Sequence, residues 1–293
     1  MASFSPCPLC QQKDFQTLFR QRRPSRRRVV RCLNDGLVMV NPQPAKKQID
    51  ALYDSKYFQE FDPYLKSRQV HLSYFRRKLE QIEKKLGRWG QSSRRPGKLL
   101  DVGCGLGFLL NEAQRRGWET VGIDVSNYPL KFCRQLGLTV KKGTLKTAKL
   151  PAASFDVVTS LQTIEHETNP LEHTQAIYRL LKPGGLAVIT TPNHDSWTRK
   201  LMGSGWFGYR HKEHLFFLSP STLKALLRRA GFGKIEIQRD QPRVFTLGYY
   251  LTRLNDFYPC LLVRLFASLL KKIAGGLPIP TDPWGDIIAF AQK

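Results

Sequence analysis

The stretch Leu99-Leu-Asp-Val-Gly-Cys-Gly-Leu-Gly107 runs an apolar segment into three glycines spaced one residue apart, with Asp101 just before them. Such a turn leaves backbone N–H groups uncovered, and a helix starting at its end adds unsatisfied amides of its own. A dinucleotide fingerprint spaces its glycines G-x-G-x-x-G to seat a pyrophosphate. Here the third glycine arrives one residue early, and Asp101 would repel that phosphate. A ligand with a cationic amino group and a sulfonium, but no phosphate, suits bare backbone beside a carboxylate.

Outward from this turn, apolar runs alternate with amphipathic segments, the pattern of βαβ units. Strands are predicted at 98–102, 119–123, 138–141, 155–160 and 186–190, with weaker signals at 234–238 and 286–292. Helices are predicted at 107–116, 128–136, 171–181 and 220–230. The last opens on Ser219-Pro220 and stops at Gly231. Upstream, Leu72, Phe75, Leu79, Ile82 and Leu86 mark the apolar face of a helix ending near 87–90, with basic residues opposite.

S-adenosylmethionine is a ligand of the required kind, and the chain resembles the class I methyltransferases, whose first motif is matched by residues 99–107. Val121-Gly-Ile-Asp124, Phe155-Asp156 through Glu165-His166, and Leu181-Lys-Pro-Gly-Gly through Thr190 resemble the later motifs in family order. The resemblance implies an α/β fold, a doubly wound, seven-stranded, mostly parallel sheet of the Rossmann-like methyltransferase type. It implies cofactor contacts from Asp101, Gly103, Cys104, Gly105 and Gly107, with Asp124 and the adjacent Val125 at the ribose. Thr144 and Leu145 fall by the adenine, and Gln162 at the methionine end.

Methyl transfer from a sulfonium is an in-line displacement, so the enzyme aligns the acceptor, excludes water and removes a proton if the acceptor is a hydroxyl. Open parallel sheets bind ligands at the carboxyl ends of their strands, which places Glu165 and His166 beside the cofactor. His166 reads as a general base or as a helix-cap partner, and Glu165 as its companion. The segment 203–219 mixes glycines, aromatics and imidazoles and reads as a substrate lid. There the resemblance narrows to quinone-type O-methyltransferases, which His214 matches, with Trp206, Tyr209, Arg210 and His211 as pocket neighbours. His214 reads equally as a buried histidine that fixes the loop. Some quinone-type relatives hold a divalent cation near the acceptor; nothing in this sequence demands one.

Three spans are expected: a small module at 1–40, a helical segment or lid at 41–96 that includes Tyr53 and Tyr57, and the methyltransferase domain at 97–293. Cys7-Pro-Leu-Cys10 and Cys32-Leu-Asn-Asp35, separated by a basic loop, match structural zinc spacing. They also resemble the N-terminal zinc ribbon of some methyltransferases, with Asp35 where a fourth cysteine stands. The rival reading is a ribbon that has lost its metal. Cys104, Cys133 and Cys260 read as ordinary buried thiols.

Lys and Arg total 47 against 23 Asp and Glu, a net charge of +24 that attracts polyanions and acidic lipid surfaces alike. The arginines at 22, 23, 26, 27, 28 and 31 could grip phosphates. However, the loop after the fourth strand reads SLQTIEH and carries no base-modifying motif. Nucleic acid is therefore the second choice of partner, after a small-molecule or lipid-linked acceptor. A helical stripe of Leu261, Leu262, Leu265, Phe266, Leu269, Leu270 and Ile273 is expected to dock on the core; its alternative is peripheral contact with an anionic membrane. The sequence opens without a secretory signal and has no 20-residue apolar span, so a cytoplasmic location is expected. The predicted activity is O-methylation, with an RNA methyltransferase and a non-catalytic cofactor-binding scaffold as alternatives. No motif encodes an oligomeric state.

Overall fold

The computed structural model describes residues 4–20, 27–50, 68–90, 97–257, 261–279 and 285–293. Tyr53, Tyr57, Cys260, Arg22, Arg23 and Arg26 lie outside the described residues. The chain opens with β1 (Phe15–Arg20), β2 (Arg28–Cys32), β3 (Val38–Val40), the short α1 (Lys46–Asp50) and the long α2 (Arg68–Arg88). Then follow β4 (Lys98–Val102), α3 (Phe108–Arg115), β5 (Glu119–Asp124), α4 (Asn127–Gln135), β6 (Val140–Lys142) and β7 (Phe155–Leu161). After α5 (Pro170–Leu180) come β8 (Leu181–Thr191), α6 (Trp197–Met202), α7 (Phe207–Arg210), β9 (Phe216–Phe217), α8 (Pro220–Ala230) and β10 (Lys234–Arg239). The remaining elements are β11 (Phe245–Thr246), α9 (Leu247–Phe257), α10 (Leu261–Ala274), β12 (Pro278–Ile279) and β13 (Ile287–Gln292).

A seven-stranded sheet in the order β10-β13-β8-β7-β4-β5-β6 forms the centre. All neighbours are parallel except those of β13, which pairs antiparallel with both β10 and β8. From β4 the chain winds outward to β5 and β6, then returns to β7 on the other side. Strand order therefore reverses between β4 and β7, where an α/β sheet opens a ligand crevice. One face packs Leu79, Ile82 and Leu86 of α2 onto Leu109, Leu110 and Ala113 of α3, and the other packs α5 and α8 onto Val158, Ala187 and Ile189. The helix ends follow from local chemistry. Asn169 accepts from the amides of Leu171 and Glu172, and Ser219 forms a capping box with Thr222.

A second sheet, β1-β2-β3-β9, recruits its last strand from beyond β8, so the amino-terminal residues are stitched to the segment carrying His214.

Three expectations are corrected. Trp206 and Tyr209 are not lid residues: both are buried with Val29, Val38, Val40 and Phe217 in the core of the second sheet. The basic residues of α2 are not all solvated, because Lys78 is fully buried against Asp240 and Lys85 is buried against Glu236. Finally, most of the α10 stripe whose side chains are described does not dock on the core. Leu265, Phe266, Leu269 and Ile273 face outward, and Ala267 on the opposite side is buried.

Candidate active site

Each glycine of the 99–107 turn adopts a left-handed conformation, with φ of 72° at Gly103, 50° at Gly105 and 71° at Gly107. Packing dictates the outer two. A Cβ on Gly103 would lie 2.5 Å from Thr163 Oγ1, and one on Gly107 would lie 2.6 Å from Leu138 and 2.8 Å from the Cys133 sulfur. At Gly105 the same position meets nothing within 4 Å, so its bare face is open to a ligand. The amides of Gly103 and Cys104 donate to the carbonyl of Ile123, which ties the turn to the end of β5.

Asp124 closes β5 beside this turn. Its Oδ2 accepts from the Gly105 amide and its Oδ1 from the Ser126 amide, each at 2.9 Å. Each oxygen keeps a second lone pair. Burial raises the Asp124 pKa while the amides of Ser126, Gly105 and Val125 oppose the shift. Val125 is exposed alongside it. Asp101 lies deeper: it accepts from the Thr159 hydroxyl at 2.6 Å, and burial pushes its pKa up to about 7. Across the crevice, the Thr144 amide is taken by Thr147 Oγ1 at 2.9 Å, and Leu145 packs its side chain into the core. At the end of β7, Gln162 holds a left-handed φ of 55°, costly for a residue with a Cβ. Its Nε2 donates to Asp286 Oδ2 at 3.0 Å and its amide to the Thr190 carbonyl at 3.0 Å. Asp286, just before β13, is a contact sequence reasoning missed.

Immediately after Gln162, a single 3₁₀ turn over Ile164–His166 carries Glu165 and His166, and the loop before β9 brings His214 onto it. The Leu215 amide donates to the Glu165 carbonyl at 2.8 Å, the rings of His166 and His214 are 5.0 Å apart, and those of His211 and His214 are 4.8 Å apart. Ligand atoms of Glu165, His166 and His214 come within 4.8 Å of one another, a donor set that could hold a cation. Glu165 is fully buried, and neither carboxyl oxygen makes a well-formed hydrogen bond among the described residues. Burial accordingly raises its pKa to about 8, outweighing help from its own backbone and the Thr191 hydroxyl. The same burial pushes His166 down to about 4 and His214 well below the usual histidine range. The base expected to need little tuning is thus strongly tuned. Glu213 is held down to about 2, largely by the His211 imidazole that bonds it at 3.0 Å.

Arg27 locks this loop from the other sheet. Its guanidinium donates to the carbonyls of His211 at 3.0 Å, Lys212 at 2.9 Å and also His214. One member of the arginine run is therefore a brace and not a phosphate grip, a role no local pattern signals.

The sequence of the family described as "Methyltransferase domain" matches residues 72–237, more than half of the chain. The chain belongs to that family. A ubiquinone biosynthesis O-methyltransferase of Cereibacter sphaeroides is 33% identical over 151 residues, covering 47% of this chain and 61% of the relative. Its namesake in Ruegeria pomeroyi is 30% identical over 198 residues, covering 60% and 78%. The match thus spans less than two thirds of the Cereibacter protein's length. A crystal structure of a SAM-dependent methyltransferase from Thermotoga maritima aligns with a TM-score of 0.51 over 80% of this chain and 98% of that one. At 18% identity this likeness concerns the fold, and it is the class I methyltransferase fold that the four motifs imply.

Proposed function

We propose that this chain transfers a methyl group from S-adenosylmethionine to a hydroxyl oxygen of a small acceptor of the quinone-precursor class. The residues present fit the cofactor. Gly105 offers open backbone, the spare lone pairs of Asp124 suit two ribose hydroxyls, and Asp101 supplies a carboxyl for the amino-acid end. Cys104, Val125, Thr144, Leu145 and Gln162 complete the lining as the family pattern assigns it. When bound, the cofactor supplies an electrophilic methyl on a positive sulfur.

The reading rests on the Glu165–His166–His214 cluster, in which His166 is half-buried between two buried partners, at the carboxyl end of β7 beside the sheet's reversal point. At neutral pH the imidazole of His166 is uncharged and can accept the proton that the acceptor hydroxyl loses as its oxygen forms the new bond. Glu165 and His214 orient the acceptor, and the closed environment excludes water from the displacement. Incubation with radiolabelled S-adenosylmethionine and a panel of catechols and phenols tests the proposal. Label in an ether-stable product, lost in the H166A variant, supports it; label entering RNA instead of phenols overturns it.

A lipid-linked acceptor presented at an anionic membrane surface is favoured by α10. Leu265, Phe266, Leu269 and Ile273 are exposed there and Leu277 just beyond it, next to Lys271 and Lys272, on a chain of net charge +24. No described helix is long and apolar enough to cross a membrane. A cytoplasmic setting accords with the free thiols of Cys7, Cys10, Cys32, Cys104 and Cys133. Sedimentation with phosphatidylglycerol vesicles, abolished by L265E/L269E, checks the surface assignment.

A further inference from the structure

Outside the transfer site, Cys7, Cys10, Cys32 and Asp35 bring one ligand atom each within 4.8 Å of one another. The two halves of this cluster are built alike. The Gln11 amide donates to the Cys7 carbonyl at 2.8 Å, and the Gly36 amide to the Cys32 carbonyl at 3.0 Å. The Cys7 amide donates to the Gln12 carbonyl and the Cys32 amide to the Leu37 carbonyl, both at 2.9 Å. Each half then turns through a left-handed residue, Gln11 with φ 67° and Gly36 with φ 76°. Residue by residue, Asp35 occupies the place that Cys10 holds in the other half.

We propose that these four residues form a closed mononuclear site for a zinc-class divalent ion, with Asp35 as a monodentate fourth ligand. The distances support it. Cys10 and Cys32 sulfurs are 3.5 Å apart and Cys7 Sγ is 3.1 Å from Asp35 Oδ2. A disulfide would need about 2.05 Å between sulfurs, whereas tetrahedral bonds of about 2.3 Å to sulfur and about 2.0 Å to oxygen give edges of about 3.8 Å between sulfurs and about 3.5 Å from sulfur to oxygen, so an ion would open these two contacts by roughly 0.3–0.4 Å. The other carboxylate oxygen, Oδ1, accepts from the Leu37 amide at 2.9 Å, which fixes the carboxylate so that Oδ2 alone faces the sulfurs.

Three thiolates and a carboxylate around a divalent ion leave two negative charges. The cleft that Cys10 and Asp35 border, about 680 Å³, is lined on its far side by Lys224, Arg228 and Arg229 of α8. That charge is therefore answered across the cleft. Cys7, Cys32 and Leu37 share one apolar cluster with Leu223, Leu226 and Leu227 of α8, so the ion would fasten the amino-terminal module to the large domain. Binding releases three thiol protons to solvent.

The test uses the full chain purified without chelator. Elemental analysis is expected to give one zinc per chain, and cobalt exchange to give near-ultraviolet thiolate charge transfer with tetrahedral visible bands. Competition with a chromogenic chelator is expected to show at least a tenfold weaker ion in D35A, with recovery in D35C and a shifted cobalt spectrum. Chelation of the parent protein, which needs no variant to fold, is expected to lower its melting temperature. A metal-free chain that acquires no cobalt bands, or an intact mass two hydrogens light from a Cys10–Cys32 disulfide, overturns the site. Equal affinity in D35A and the parent overturns the role of Asp35. These readouts do not depend on methyl transfer.

Discussion

The Gly105 amide donates to Oδ2 of Asp124 at 2.9 Å, so the bare turn after β4 and the acidic end of β5 form one rigid unit. Replacing Asp124 with Asn removes the charge while keeping the shape. The loss of charge-assisted bonds is expected to weaken S-adenosylmethionine by about 1.5–3 kcal/mol, roughly ten- to a hundredfold. Calorimetric titration of D124N checks this, and an unchanged dissociation constant would remove Asp124 from the cofactor site.

The glycines of the turn separate stability from binding. G103A drives a Cβ into Thr163 as well as straining φ, so it is expected to cost more than the roughly 1–2 kcal/mol of a left-handed residue alone. G105A meets no neighbour and is expected to lose only the strain, yet to weaken the cofactor. Denaturant unfolding beside ligand titration distinguishes the two; equal stability losses would contradict the packing.

At the Glu165–His166–His214 cluster, H166A is expected to lower kcat by about 10²- to 10⁴-fold while leaving cofactor affinity within twofold. E165Q removes the titration but keeps the volume, and is expected to lower kcat less. Single-turnover methyl transfer measures both, and an undiminished H166A would exclude that imidazole as the base.

Lys78 and Asp240 are both buried and in contact, with Tyr74 donating to Asp240 at 2.7 Å. K78M strands the carboxylate and is expected to destabilise by about 3–5 kcal/mol, part of which D240L restores in the double variant. Urea unfolding of the three variants gives the coupling energy.

His194 is buried and lies 2.6 Å from the Tyr209 hydroxyl, and burial pushes it down to about 3. The unfolded chain takes up its proton near pH 6.5 and the folded chain does not. Stability from this group is therefore complete above pH 6.5 and declines as pH falls toward 3, by about 1.4 kcal/mol per pH unit. Between pH 7.5 and 5 the loss is about 2 kcal/mol. H194Q is expected to flatten that decline in melting profiles.

The sheet was legible because buried parallel strands and their crossover helices write their periods directly into the chain. All seven predicted strands occur in order, with β8 extended back to Leu181. The position of residues 165 and 166 just past the end of β7 was legible from the motif before them. Less legible were features set by distant partners. Period shows which face of α10 is apolar but not what covers it. Trp206 and Tyr209 look like lid residues until β9 joins β3, and Arg27 looks like one more surface cation until its three carbonyl acceptors arrive from the loop at 211–214. Lys78 reads as solvated because nothing near it in sequence announces Asp240.

The antiparallel β13 lies between β8 and β10, and every residue of both neighbours is synthesised before it. A nascent chain arrested ahead of Ile287 would expose two unsatisfied strand edges at once, a template for intermolecular pairing. Pairing of β13 with both neighbours is thus what removes these two edges, and it can occur only once the last residues of the sequence are available.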